Sequence, residues 1–411
     1  MSRKPVRASL QGSDESPSDL GTGRSLEWMI SPLSEQVFWE DYWEKQPLVV
    51  KRSNPDYFGS LLTLDEVDRV ITTLGLRYPT ITLKNADQAV TSEDYTVQGD
   101  LIDVAKVYQL FEHGSTITLA YLDNVVEALA AFARNLEREF SFPFQTNVYL
   151  TPAGAKGAKH HYDSHDVFVL QIAGSKRWTT YGTPVKLPLR GQDFDPAVHE
   201  RGEPTLEFEL EAGDCAYIPR GVVHDARSGE TTSLHITVGV LHWTWTDLLL
   251  EAIADGSLND AAFRQALPPG FARQDFNRER ARELFRDLLT RLSANSDLDA
   301  VLDRFADEFM SSCPPLLRGQ LDQLANLDRV SLDTVVGARS GVISHVRTSH
   351  EATTVDCYGR EITFPVQAAA AVRFALSNSR FAVCKLPDDL DNAGKLTLIR
   401  RLIREGLLMV V

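Results

Sequence analysis

Ten residues, Lys159-His160-His161-Tyr162-Asp163-Ser164-His165-Asp166-Val167-Phe168, hold three histidines and two aspartates. On an extended strand, residues i and i+2 point to the same face. His161 and Asp163 are therefore expected to aim an imidazole and a carboxylate at one point. A third ligand has to come from elsewhere in the chain. Arg220-Gly221-Val222-Val223-His224 offers one, directly behind the apolar run Cys215–Ile218. Two imidazoles and one carboxylate on one face of a divalent metal leave the opposite coordination positions open, as non-haem Fe(II) oxygenases require. A structural zinc site instead closes four positions, usually with thiolates. The competing reading of a bare His-x-Asp is two surface residues that meet by chance. The Pro219-Arg220-Gly221 turn and His224 weigh against it.

Other histidines compete for the third place. His160 points to the opposite face of a regular strand, and His165 shares the face of His161 but lies beyond Asp163. His235 is the strongest rival to His224; its alternative is a hydrogen-bonded core histidine. His242 lies just past the same strand. His113, His199, His345 and His350 form no cluster and read as surface residues.

The elements that must position these groups follow from periodicity. Short apolar segments separated by Gly, Pro, Asp and Ser run from about residue 141 to 246. Strands are predicted at Gln145–Leu150, Val167–Ala173, Arg177–Tyr181, Thr205–Leu210, Cys215–Ile218 and Ser233–Leu241. Many short strands at this spacing predict an all-β sandwich or barrel. Residues 225–232 read as a short charged connection after His224. Before this region, Ser34 caps a helix predicted over Glu35–Glu44, Leu48–Val50 reads as a strand, and Thr63-Leu64-Asp65-Glu66 fits a capping box opening a second helix. A third helix is predicted over Asn124–Glu139. After the β region, three leucine-rich helical stripes fill residues 246–327. Residues 328–411 mix helices with strands at Thr354–Tyr358, Glu361–Phe364 and Leu407–Val411. Helices are predicted there over Gln367–Leu376 and Ala393–Glu405, with Gly406 as C-cap.

The bulk numbers exclude several classes. The chain has 411 residues, 43% hydrophobic and 24% charged, which fits a globular protein of more than one domain. A formal net charge of -15 repels phosphate backbones, so direct nucleic-acid binding is not expected. Cys215, Cys313, Cys357 and Cys384 form no close pairs, which fits free thiols in a reducing cytoplasm. Residues 1–24 are rich in Ser, Gly, Asp and Pro without an apolar core, and read as a disordered tail rather than a signal peptide. No apolar run long enough to span a membrane occurs.

At these residues the sequence resembles the JmjC-domain (cupin-like) 2-oxoglutarate/Fe(II) oxygenases, specifically the ribosomal oxygenase branch. The resemblance rests on an ordered series of motifs over about residues 26–245. They are Phe38-Trp39-Glu40-Asp41-Tyr42-Trp43-Glu44-Lys45-Gln46-Pro47-Leu48, Asn147-Val148-Tyr149-Leu150-Thr151-Pro152-Ala153-Gly154 and His161-Tyr162-Asp163. Gly174-Ser175-Lys176-Arg177-Trp178 and Tyr217-Ile218-Pro219-Arg220-Gly221-Val222-Val223-His224 complete it. The resemblance implies an α+β protein with a double-stranded β-helix (jelly-roll) core over residues 25–245. It further implies a helical dimerisation module over 246–327 and a winged-helix-like domain over 328–411. It places Fe(II) on His161, Asp163 and His224, the remote carboxylate of 2-oxoglutarate on Lys176, further co-substrate contacts on Asn147 and Thr237, and Tyr149 in the target pocket. Packing is the alternative role for Tyr149. No catalytic residue beyond the metal centre is implied. The implied function is hydroxylation of a protein side chain with dioxygen as co-substrate, with an arginine or histidine of a ribosomal protein as candidate target, by a cytoplasmic homodimer. The alternatives are the same chemistry on RNA or a small molecule, and a cupin-fold binding protein without turnover.

Overall fold

The computed structural model describes residues 25–411; the tail expected at residues 1–24 lies outside them. Ten strands build the part that carries the site. They are β1 (Leu48–Val50), β2 (Ile81–Lys84), β3 (Thr116–Leu119), β4 (Phe144–Thr151), β5 (Asp166–Ala173), β6 (Ser175–Thr180), β7 (Leu206–Glu211), β8 (Cys215–Ile218), β9 (His224–Ser228) and β10 (Ser233–Val240). Seven form one antiparallel sheet in the order β1-β8-β5-β10-β4-β3-β2, and β7-β6-β9 form a smaller facing sheet.

The period of two sorts the side chains between layers. On β5, Phe168, Leu170 and Ile172 join the large core, while Val167 and Val169 turn inward to meet Trp178 of the smaller sheet. On β10, Leu234, Ile236, Val238 and Val240 enter the same large core, which leaves His235, Thr237 and Gly239 on the inner face. The outer face of the large sheet is covered by N-terminal helices and by the helix Glu127–Phe140, whose Leu129, Phe132 and Leu136 are buried there. That helix starts close to its predicted position, and the helix predicted after Thr63 runs Leu64–Thr73. Thr63 Oγ1 accepts from the Glu66 amide at 3.2 Å, but the expected capping box does not close, because the Glu66 carboxylate pairs with Arg69 instead.

Four local readings need correction. The helix expected over Glu35–Glu44 is a short α-turn, Glu35–Val37, followed by a π-turn, Phe38–Tyr42. Residues 225–232 are not merely a connection, because His224–Ser228 pairs along β6 with Thr180 opposite His224. His161 and Asp163 do not lie on a continuous strand. His161 forms an isolated antiparallel bridge with His224, and the bends that follow end only where β5 begins at Asp166. Finally, β2 and β3 have no counterpart among the predicted strands. Each is four residues long and is held by pairing with its neighbour rather than by a distinctive apolar run.

Residues 246–327 form helices Trp245–Asn259, Glu279–Asn295, Leu298–Ser312 and Gln320–Ala325. Residues from Leu327 onward have their own core, in which helices Ala369–Ser377 and Asn392–Arg404 pack with small antiparallel sheets. No helix among the described residues is long and apolar enough to cross a membrane.

Candidate metal centre and co-substrate pocket

The His161–His224 bridge is the scaffold of the site. The His161 amide donates to the His224 carbonyl at 3.1 Å, and the His224 amide donates back at 2.8 Å. Side chains on directly opposed residues of such a pair share a face, and the two imidazole centroids lie 4.8 Å apart. Asp163 turns between them, with Oδ1 3.8 Å from His161 Nε2 and Oδ2 3.7 Å from His224 Nε2. The Nδ1 of His161 lies 2.9 Å from the Lys159 carbonyl, and that of His224 lies 3.0 Å from the Val222 carbonyl. Each carbonyl fixes the proton on Nδ1 and leaves the Nε2 lone pair free, as metal-bound imidazoles require.

Two imidazole nitrogens and a carboxylate, all within 4.8 Å of one another, fit one divalent ion. Ligands about 2.1 Å from such an ion stand about 3 Å apart, so closure needs only small side-chain rotations. Burial works to raise the Asp163 carboxyl, but His224, His161, His165 and Lys84 outweigh it and hold the group below the ordinary carboxylate value. Burial, aided by His161, lowers His224 and keeps its imidazole neutral. A carboxylate anion beside the neutral His224 imidazole is the protonation state a metal takes.

A cavity of about 100 Å³ opens from this triad into the space between the sheets. At its inner end Lys176, buried on β6, places Nζ 3.1 Å from Thr151 Oγ1, which also accepts from Thr116 Oγ1 at 3.1 Å. No ion pair to Lys176 occurs among the described residues, and desolvation lowers its ammonium from 10.5 to about 7. A buried cation that meets a hydroxyl and, at 5.9 Å, the face of Trp178, but no anion, suits an anionic guest.

The wall beside Lys176 is aromatic. His235 stacks on Tyr149 with centroids 4.9 Å apart and planes 3° from parallel, and its edge meets Trp178 at 5.6 Å. Burial, with the nearby Lys176 charge, pushes His235 well below the ordinary imidazole value, and its Nδ1 has no hydrogen-bond partner. His235 is thus a neutral wall residue, outside the cluster formed by His161, Asp163 and His224.

Of the remaining expected residues, Tyr149 and Thr237 line the cavity. Asn147 stands opposite Thr237 on β4. Its Oδ1 is occupied, accepting the backbone amide of Tyr121 at 3.1 Å. His165 packs against Gly239, where an added Cβ would come within 2.7 Å of the ring. His199 is not a plain surface residue, since its ring joins Phe194 and Tyr162. Sequence reasoning missed Trp178, Thr151, Thr116, Thr118 and Lys84 as site residues. Their inward position is set by the alternation of β2, β3, β4 and β6. For Trp178, the shared parity with Lys176 was the available signal.

Residues 124–248 match the JmjC domain. The chain thus carries a JmjC domain in a cupin-like fold of antiparallel sheets and added helices. Within that class it is similar to proteins named ribosomal oxygenases. Ribosomal oxygenase 1 of Danio rerio is 30% identical over 325 residues, which make up 72% of this chain and 58% of that protein. The bifunctional lysine-specific demethylase and histidyl-hydroxylase NO66 of Drosophila melanogaster is 29% identical over 343 residues, 77% of this chain and 50% of that protein. The chain therefore spans between half and three fifths of the length of these relatives. Among solved structures, the ribosomal oxygenase YcfD from Escherichia coli matches with a TM-score of 0.53 at 18% identity, over 92% of this chain and 98% of that one. Its structures include a complex with cobalt and 2-oxoglutarate. At that identity the likeness concerns the fold.

Proposed function

We propose that the chain is an Fe(II)- and 2-oxoglutarate-dependent dioxygenase that hydroxylates an amino-acid side chain of a protein. The observation that carries this reading is the pairing of two features in one cavity. One is a three-residue, open-faced donor set; the other is a buried lysine without an anionic partner. His161, Asp163 and His224 would hold the metal. Lys176 and Thr151 would take the remote carboxylate of the keto acid, and Thr237 would flank it. When bound, Fe(II) supplies the redox chemistry that couples oxidative loss of carbon dioxide from the keto acid to insertion of oxygen into a carbon–hydrogen bond.

The protein's own contribution is placement and exclusion of water. Val167, Val169 and Trp178 give the cavity an apolar floor, and the Tyr149–His235 stack keeps the wall rigid. Neither group is positioned as a proton donor: burial raises the Tyr149 phenol and keeps His235 neutral. Asn147, whose Oδ1 is held by the Tyr121 amide, would offer its amide nitrogen to the co-substrate.

We further propose a ribosomal protein as substrate, with arginine or histidine as target. The name of Ribosomal oxygenase 1 supports the ribosomal substrate, and the histidyl-hydroxylase in the name of NO66 supports histidine as target. Residues 246–327 would form a dimerisation module and 328–411 a winged-helix-like domain. Large apolar side chains on the helices, such as Trp245 at 74% and Leu258 at 76% exposure, support burial against a second copy. The test of the substrate is peptide mass spectrometry on ribosomal proteins from cells with and without this chain. Gain of one oxygen on an arginine or histidine peptide only when the chain is present is the expected result. An identical peptide map in both samples, together with oxygen gain on a nucleotide, would overturn it.

A further inference from the structure

The motif from Phe38 to Leu48 lies far from the metal ligands in sequence, yet it leads to them through a polar network in which Asp166, Arg220 and Tyr217 are buried and Glu44 is half-buried. The π-turn Phe38–Tyr42 closes with the Trp43 amide on the Phe38 carbonyl at 2.9 Å. Phe38, fully buried, meets Tyr217 edge-on at 5.0 Å, and Trp43 stacks on the same ring at 5.9 Å. This packing delivers Glu44, whose φ of 55° places a non-glycine residue in the left-handed region, a conformation kept only where surroundings enforce it. The Glu44 amide donates to Tyr217 Oη at 2.9 Å, and its carboxylate accepts Arg220 Nη1 at 2.5 Å. The same Nη1 donates to Asp166 Oδ2 at 2.7 Å, and the Tyr217 hydroxyl donates to Asp166 Oδ1 at 2.6 Å.

By ligand type, Glu44, Asp166 and His242 could form a second cation site. The Arg220 guanidinium already lies against both carboxylates, so the cation is provided by the chain. The network instead grips two segments that carry metal ligands. Asp166 ends the turn that begins with Asp163, and Arg220 opens the turn that ends with His224. Between them, the Gly221 amide donates to the Asp163 carbonyl at 3.0 Å.

We infer that Glu44, Arg220, Asp166 and Tyr217 are positioning residues that set the spacing of Asp163 and His224, making the N-terminal segment part of the metal centre. This rests on the metal assignment proposed above. Removing Glu44 leaves Arg220 with one carboxylate and frees its turn to shift, and residues that orient metal ligands typically govern affinity by about 10–100-fold.

The test titrates the 411-residue chain with Co(II), reading the visible absorption of the bound ion and, separately, thermal unfolding. Glu44→Ala is expected to weaken Co(II) binding about 10–100-fold and to alter the spectrum of the ion that does bind. Glu44→Gln, which keeps an oxygen facing Arg220, is expected to recover most of the affinity. Leu402→Ala, in the separate C-terminal core, should lower thermal stability without changing Co(II) affinity or spectrum. Should Glu44→Ala match the parent in both while His161→Ala loses the ion, the positioning role is overturned and the metal assignment stands. Should His161→Ala also bind as the parent does, the metal assignment itself fails.

Discussion

Raising the pH should weaken the co-substrate's grip before it affects the metal. In the empty pocket, burial lowers the Lys176 ammonium to about 7, so at pH 7 about half the molecules carry the charge and at pH 8 about one in ten. A bound carboxylate beside Nζ favours the charged form, so binding takes up a proton. Apparent affinity scales with the competent fraction. The half-saturation concentration of 2-oxoglutarate should therefore rise about fivefold between pH 7 and pH 8 and about tenfold per unit beyond. Folding has its own linkage: the unfolded lysine stays charged to about 10.4, while the folded one releases its proton near 7. The burial cost is thus fully present below about pH 7 and fades as pH rises toward 10. The assay is calorimetric titration of 2-oxoglutarate into the metal-loaded chain in two buffers of different ionisation enthalpy, which gives proton uptake directly. About half a proton per site at pH 7 is expected. A half-saturation that stays flat from about pH 6 to 8.5 with no proton uptake would refute this reasoning, as would Lys176→Ala with unchanged affinity.

Three further outcomes follow. Gly221→Ala places a Cβ 2.2 Å from the Val185 carbonyl at φ 84°, so it should destabilise by at least about 2 kcal/mol and loosen Co(II) binding, measured by chemical unfolding and titration. Phe38→Ala empties a fully buried site and should cost about 3–5 kcal/mol; a loss under about 1 kcal/mol would mean that the aromatic cluster adds little. Leu250→Glu, on an exposed position of the helix Trp245–Asn259, should shift a dimer to monomer by light scattering without altering the fold by circular dichroism, and an unchanged dimer would move the interface elsewhere.

Much of the β region could be read from the chain because burial on both faces leaves near-continuous apolar runs. Cys215–Ile218 coincides with its prediction, and Val167–Ala173 differs by one residue. Ile81–Lys84 and Thr116–Leu119 were invisible for the opposite reason: they are short, rich in threonine, and stabilised by cross-strand partners far away in sequence. Period-two spacing selected His161 and Asp163, although they share a direction through one bridge and a bend rather than a regular strand. The stacking of His235 on Tyr149 depends on the β10–β4 register, which sequence periodicity alone does not fix. The role of Glu44 was equally hidden, since its partners Arg220 and Tyr217 are more than 170 residues away.

The most direct measurement is metal-dependent conversion of 2-oxoglutarate to succinate by the 411-residue chain, run beside equilibrium Fe(II) binding without oxygen. The parent should bind one Fe(II) and release succinate only when both metal and keto acid are present. His161→Ala, Asp163→Ala and His224→Ala should each lose both, while His235→Ala should retain Fe(II). Full metal binding and succinate release by any of the three ligand variants, or loss of the metal from His235→Ala with His224→Ala intact, would contradict the assignment.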